Sequence, residues 1–417
     1  MVRVSWPIGN IEGDSTVTKE RALIGRPPLI RRTNAETLLR LLREAGPCSK
    51  ADLVRASGLS APSVTNVVAH LASVGLIEPV GEGDSTGGRP PDILRFRAER
   101  GCVAAVEITS AAFHLLLADL DGRELARRGI ALEGRSATPP AVCARIGKEV
   151  RDLLRKQKQP EDQLLGVVTG VPAIVNVEDG IVVELSALRG WSHVALGPML
   201  SGEFKCRVVV ENDTNLAAQG ESYRGAAQGH RDFVFITIGE GVGAGIFVNG
   251  HLHRGSQWSA GEIGYLRVPN ISREHPAIHR YGRLEKLLGA PGILKSWRAS
   301  KNHGTRPKVI RATDVFDLAA AGNAQARKIL KQRASILADV VLDLALILNP
   351  SLILLGGEVG NHPILLREVE SLLEGGEFAV ARVALGALGS SAVLWGAVCS
   401  ALEPAILGLL RPSKPAS

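Results

Sequence analysis

The sequence predicts a two-lobed α/β body preceded by a winged helix-turn-helix unit. Three observations carry this expectation. Three short helical patterns and a hairpin pattern crowd into residues 33–97. From Gly101 onward, strand-like apolar runs alternate with helical stretches. A strand, a turn and a second strand closing on a D-G or N-G dipeptide then occur twice, in "VEITSAAFHLLLADLDGRELA" and "ITIGEGVGAGIFVNGHL". At 417 residues and 45% hydrophobic content the chain can fill two or three cores.

Residues 1–30 mix Pro, Gly, Ser and charges without apolar periodicity and read as a flexible arm. Helix one is expected after a Thr33-Asn34 cap, with Leu38, Leu39, Leu41 and Leu42 at helical spacing and Gly46-Pro47 as its stop. Ser49 caps helix two, and Gly58 permits the tight turn after it. Ser60 caps helix three, in which Pro62 is tolerated in the first turn and Val64, Val67, Val68 and Leu71 form the buried stripe. Two helices joined by a short Gly-containing turn carry the helix-turn-helix pattern. Strands at 76–80 and 93–97 would then form a wing whose tip, "TGGRPP", is stiff and carries Arg89. Ser63, Thr65, Asn66 and His70 on helix three are short hydrogen-bonding groups suited to base edges or phosphates, and Arg89 is suited to a phosphate or a narrow minor groove. The partner expected is double-stranded operator DNA.

The net charge of +7, from 49 Lys and Arg against 42 Asp and Glu, permits a nucleic-acid partner without requiring one. Five scattered cysteines without a C-x-x-C pair argue against a disulfide framework and against a cysteine zinc cluster. The first residues lack the apolar run of a signal peptide, and "VVLDLALILNPSLILLGG" is broken by Asp343 and Asn349-Pro350. A cytoplasmic protein without a membrane span is expected.

Polar residues at strand ends of an α/β fold are favoured binding positions. Asn212 and Asp213 end the run "RVVVEND", and "SAGEIGY" supplies Glu262. Both Asn212 and Asp213 could equally cap the helix that follows. Gly239, Gly241, Gly243 and Gly245 alternate after a strand, which suits either a phosphate loop or a tight strand-to-strand bend.

Together with "GLSAPSVTNVV", "GGRPP", "GVPAIVN", "LRGW", "GAAQG" and "LNPSLILLGG", these stretches resemble the ROK family of repressors and sugar kinases, specifically its regulators. The resemblance runs from Thr33 to about Leu410. It implies an actin-like, two-lobed sugar-kinase fold behind the winged helix, with lobes at 99–230 and 231–417, the DNA-binding unit at 31–98, and a last helix returning to the first lobe. It implies sugar contacts at Asn212, Asp213, Glu262 and Glu285, with Asp213 at the position of the kinases' catalytic base. Tyr265 stands where many members have a sugar-contacting, zinc-binding His, and is counted with the ligand-binding residues.

Three departures set the expected chemistry. The Asp-x-Gly-Gly-Thr phosphate loop is replaced by Glu107, Ile108, Thr109, Ser110 and Ala111, and Glu240 stands where the second loop usually has Thr. The zinc motif loses its His to Tyr265 and has no cysteine, leaving only His275 and His279 around Pro276. The expectation is therefore a non-enzymatic repressor without cofactor or metal. It would work as a homodimer or homotetramer and respond to a carbohydrate effector. The alternatives are a sugar kinase with an added DNA-binding unit, or a ligand-independent regulator.

Overall fold

The structure is a computed structural model that describes residues 27–82, 90–132, 137–184, 190–267, 282–300, 309–375 and 381–410. Arg89, His275 and His279 lie outside the described residues. The chain divides into two compact units, one ending at Phe96 and the other comprising Val74–Leu76 and the chain from Arg97.

The first unit contains α1 (Pro27–Ala45), β1 (Cys48–Ser49), α2 (Lys50–Ser57), α3 (Ala61–Ser73), β2 (Ile77–Glu82) and β3 (Asp92–Phe96). Helix α1 starts at Pro27, ahead of the expected Thr33-Asn34 cap and within the segment read as an arm. Prolines are accepted in a first turn, where the missing N–H has no intrahelical partner to lose. Ser49 caps α2 in a reciprocal box: its Oγ accepts from the Asp52 N–H at 3.2 Å, and the Asp52 carboxylate accepts from the Ser49 N–H at 2.8 Å. Gly58 ends α2 with φ 69°. Val64, Val67, Val68 and Leu71 are buried against Leu38, Leu42 and Leu53. The wing is a β2–β3 hairpin in register Ile77↔Phe96, with Glu78 directly opposite Arg95 and ion-paired to it. The unexpected β1 adds a third strand, because residues 48–49 pair with β3 immediately before the cap.

In the second unit the first lobe runs β4 (Cys102–Ile108), β5 (Ala112–Asp119), β6 (Glu124–Ala131), α4 (Pro139–Lys156), β7 (Leu164–Val171), β8 (Ile174–Asn176), β9 (Ile181–Glu184), α5 (Leu196–Ser201), β10 (Arg207–Asn212) and α6 (Asp213–Arg224). Its sheet has the order β10-β7-β4-β5-β6, and β8-β9 forms a separate ribbon. The run "CVAAVEI" is apolar because both of its faces are covered. One face meets α4 through Val142, Ile146 and Val150.

The second lobe runs β11 (Phe233–Ile238), β12 (Val242–Val248), β13 (His251–His253), α7 (Arg283–Leu288), α8 (Ala290–Ala299), α9 (Ala312–Ala320), α10 (Ala324–Leu348), β14 (Leu352–Gly356), α11 (Gly357–Gly360), α12 (Pro363–Leu373), β15 (Arg382–Leu385) and α13 (Ala392–Leu409). Its sheet has the order β13-β12-β11-β14-β15, with parallel β11–β14 pairing.

Helix α13 returns to the first lobe and packs on α6, β4 and β7. Residues 389–409 are long and apolar enough to cross a bilayer, but Leu394, Ala397, Val398, Ala401, Leu402 and Ala405 are buried in this packing, as in a soluble core helix. Helix α6 in turn packs on β11 and β12, so α6 and α13 form a two-helix layer between the sheets. The two helices approach through glycines. A Cβ at Gly396 would sit 1.7 Å from the Leu216 carbonyl oxygen, and one at Gly220 would sit 2.2 Å from that of Ala392. This layer fixes the two strand-end surfaces relative to each other, and a cleft opens there.

Candidate ligand cleft and nucleic-acid face

The cleft has a volume of about 670 Å³ and is lined from both lobes. Asn212, Asp213, Glu262, Tyr265 and Glu285 all line it. Asn212 is the N-cap of α6: its Oδ1 accepts from the Asn215 N–H at 3.0 Å and its Nδ2 donates to the Ala173 carbonyl at 3.0 Å. Asp213 follows, and its Oδ1 accepts from the Thr214 N–H at 2.6 Å. The capping alternative is therefore realised for Asn212, while Asp213 lines the cleft. Glu285 also serves the backbone, accepting from the Gly282 N–H at 2.8 Å and the Val242 N–H at 3.3 Å. Glu262 sits after Gly261, whose φ is 89° and whose Cβ position lies 1.8 Å from the Ala244 carbonyl oxygen. Only glycine allows that approach, and it sets where Glu262 enters the cleft.

Burial and mutual repulsion act on these acids together. Glu262 is pushed up to about 7 by desolvation, then by Glu285 and Asp213. Glu107, which lines the same cleft, is pushed up to about 7 by desolvation and by Asp213. Asp213 and Glu285 are raised by burial, against the hydrogen bonds that stabilise their ionised forms. Near neutral pH the cleft carries protons that ordinary carboxylates would have released.

The β4–β5 turn and the loop after β11 are tied by their own side chains. Thr109 Oγ1 donates to the Ala112 carbonyl at 2.9 Å and accepts from the Ala112 N–H at 3.0 Å, so the side chain fills the β4–β5 turn. Ser110 Oγ donates to the Glu240 carboxylate at 3.0 Å, which joins the two loops across the cleft. Of the alternating glycines, Gly243 and Gly245 serve packing: their Cβ positions lie 3.2 Å from Thr214 Oγ1 and 2.5 Å from Ala218 Cβ. Gly239 faces open space.

Sequence reasoning passed over the residues that brace this site. Glu211, 3% exposed, accepts from the Asn212 N–H at 2.9 Å and the Asn215 side chain at 3.1 Å, and pairs with Arg254 at 2.6 Å. Glu221 is fully buried and accepts from the N–H groups of Ala226, Ala387 and Leu388, tying α6 to the segment before α13. A carboxylate inside an apolar run was the available signal, since it must find partners. Among the described residues no three His, Cys, Asp or Glu side chains group so as to hold a metal ion.

In the first unit, Thr65, Asn66 and His70 are exposed on α3, opposite its buried stripe. Their side chains make no hydrogen bond among the described residues, so their donors and acceptors face solvent. Ser63 is half-buried and partly engaged, 2.9 Å from Ser60 Oγ at the start of the helix.

A winged helix-turn-helix followed by a two-lobed, sugar-kinase-like body with a carboxylate-lined cleft defines the class. Residues 103–403 match the ROK family and residues 35–78 the MarR family, and the chain belongs to the ROK family. It is 25% identical over 343 residues to the xylose repressor of Bacillus spizizenii, covering 82% of this chain and 86% of that one. It is 24% identical over 348 residues to the DNA-binding transcriptional repressor Mlc of Escherichia coli, covering 82% and 85%. A glucokinase of Halalkalibacterium halodurans is 32% identical over 262 residues, covering 58% and 77%. The fold is shared with a crystal structure of a ROK family transcriptional regulator, homologous to the E. coli Mlc protein, at a TM-score of 0.76 over 91% of this chain and 98% of that one.

Proposed function

We propose that this protein is a cytoplasmic transcriptional repressor of carbohydrate uptake or catabolism. In this reading α3 and the wing bind a palindromic operator as part of a homodimer or homotetramer, and a carbohydrate effector binds the cleft. The observation that carries the reading is the convergence of Asn212, Asp213, Glu262 and Glu285 on one cleft lined from both lobes. Carboxylates accepting from neighbouring hydroxyls make charge-assisted hydrogen bonds, which suits a polyol. Effector and operator are then linked reciprocally: whatever factor the effector takes from operator affinity, the operator takes from effector affinity.

The test pairs two titrations of the purified protein. Sugars should stabilise the wild type thermally and release it from an operator recovered by selection, while Asp213→Ala binds the operator and ignores the sugar. An identical sugar response in Asp213→Ala would remove the cleft from the reading.

A second reading, a sugar kinase with an added DNA-binding unit, draws on the glucokinase similarity and on Asp213, whose raised proton affinity suits a general base. It requires a triphosphate beside Glu240 and a turn filled by Thr109. Asp213-dependent transfer of phosphate from ATP to a sugar would establish it.

A further inference from the structure

The charge of the cleft narrows the effector, resting on the reading above. Among the described residues six carboxylates line it, Glu107, Asp213, Glu240, Glu262, Glu285 and Glu358. Among the described residues, the two arginines on its wall already have partners: Arg127 pairs with Glu124 at 2.9 Å and donates to Ser391 at 2.8 Å, and Arg128 pairs with Glu149. A neutral sugar offers hydroxyl donors to the acids but leaves uncompensated whatever charge their retained protons do not meet. A phosphate would add to it, and the loops that would receive a phosphate hold Glu240 and the Ser110 hydroxyl that binds it. Among the described residues no three acid, imidazole or thiol groups converge closely enough to hold a metal ion, so the negative charge is spread along the cleft. Spread charge of this kind matches an organic cation larger than a bare ion.

We infer that the effector is an amine-bearing carbohydrate, bound as the ammonium form, and that sugar phosphates are excluded. The retained protons on Glu107 and Glu262 accord with this, since an ammonium would draw both into their ionised forms.

The experiment is a calorimetric titration of the full-length protein with matched sets: glucose, mannose and galactose, their 2-amino and 6-amino counterparts, and their 6-phosphates. At least one amine should bind roughly tenfold or more tightly than its neutral parent, and its 6-phosphate more weakly than either. The amine-to-neutral ratio should fall in Glu240→Gln and in Glu358→Gln, and in the wild type as ionic strength rises. Neutral sugars that bind through Asp213 with no advantage for any amine would overturn this inference and leave the proposed function standing. Tighter binding of a 6-phosphate would do the same. If no sugar of any kind gives an Asp213-dependent signal, both fall.

Discussion

The same residue type is treated in opposite ways by the two units. Asp52 of the winged unit is held below the usual carboxylate range by hydrogen bonds from Ser49, with Arg55 beside it. Glu107 and Glu262 of the body are driven up to about 7 by burial among other acids. A carboxylate that caps a helix is most comfortable ionised. One buried in a cleft with no cation acting on it is not. The contrast separates a helix-capping carboxylate that its neighbours hold ionised from cleft carboxylates that burial keeps protonated.

The largest expected effect breaks the body alone. Gly396→Ala would drive a methyl into the Leu216 carbonyl and force α6 and α13 apart, at a cost of about 3 kcal/mol or more. Four of the five tryptophans, Trp191, Trp258, Trp297 and Trp395, belong to the second unit, so a fluorescence melt should shift strongly downward. Hydrogen exchange over α2 should stay as in the wild type. An unchanged melt would mean that the two helices are not as closely packed as described.

Next comes pH. Because the folded-state pKa values of Glu107 and Glu262 lie above the ordinary 4.5, their contribution to stability is complete below that value. It is lost as pH rises through about 7. Glu107→Gln and Glu262→Gln should each make the body more stable than wild type at alkaline pH, by roughly 1–3 kcal/mol, with the gain vanishing in mild acid. A gain independent of pH would assign the effect to packing instead.

On the DNA side the effects are moderate. If Asn66 reads a base edge, Asn66→Ala should cost about 1–3 kcal/mol on the cognate operator and narrow its margin over scrambled DNA. Arg89→Ala should instead weaken both duplexes and lower the salt dependence by roughly one unit per subunit, as the loss of a phosphate contact does. Filter binding across a salt series distinguishes the two. Equal behaviour on both duplexes by Asn66→Ala would make α3 a positioning helix.

Much of the fold was legible because local rules and tertiary context agree. Ser49, Gly58 and the Val64, Val67, Val68 and Leu71 stripe act as their spacing implies, and "CVAAVEI" and "LLGVVTGV" coincide with β4 and β7. What escaped was set by distant partners. Strand β6, "ELARRGIA", is the edge of its sheet, and the sequence reading names no strand there. The two-residue β1 exists only because β3 pairs with it. At the cleft, the sequence offered the Asn212 cap and named the acids but not their employment: Glu285 pins backbone, and Glu240 takes a hydrogen bond from Ser110 in the other lobe. No spacing rule spans the 130 residues between those two side chains.

The smallest effect sharpens the comparison from the winged side. Ser49→Ala removes one half of the α2 capping box and should cost about 1 kcal/mol, read as faster hydrogen exchange through residues 50–57. Its pH dependence should run opposite to that of the cleft. Asp52 has a folded-state pKa below 3.8, so its stabilisation is present above that value and is lost as pH falls through the depressed folded value. Without the Ser49 hydroxyl, Asp52 loses the partner that lowers it most, and the acid-side loss of α2 protection should become shallower. If Ser49→Ala leaves that acid profile unchanged, Arg55 rather than the cap sets the Asp52 charge, and the two units differ less in kind than their carboxylates imply.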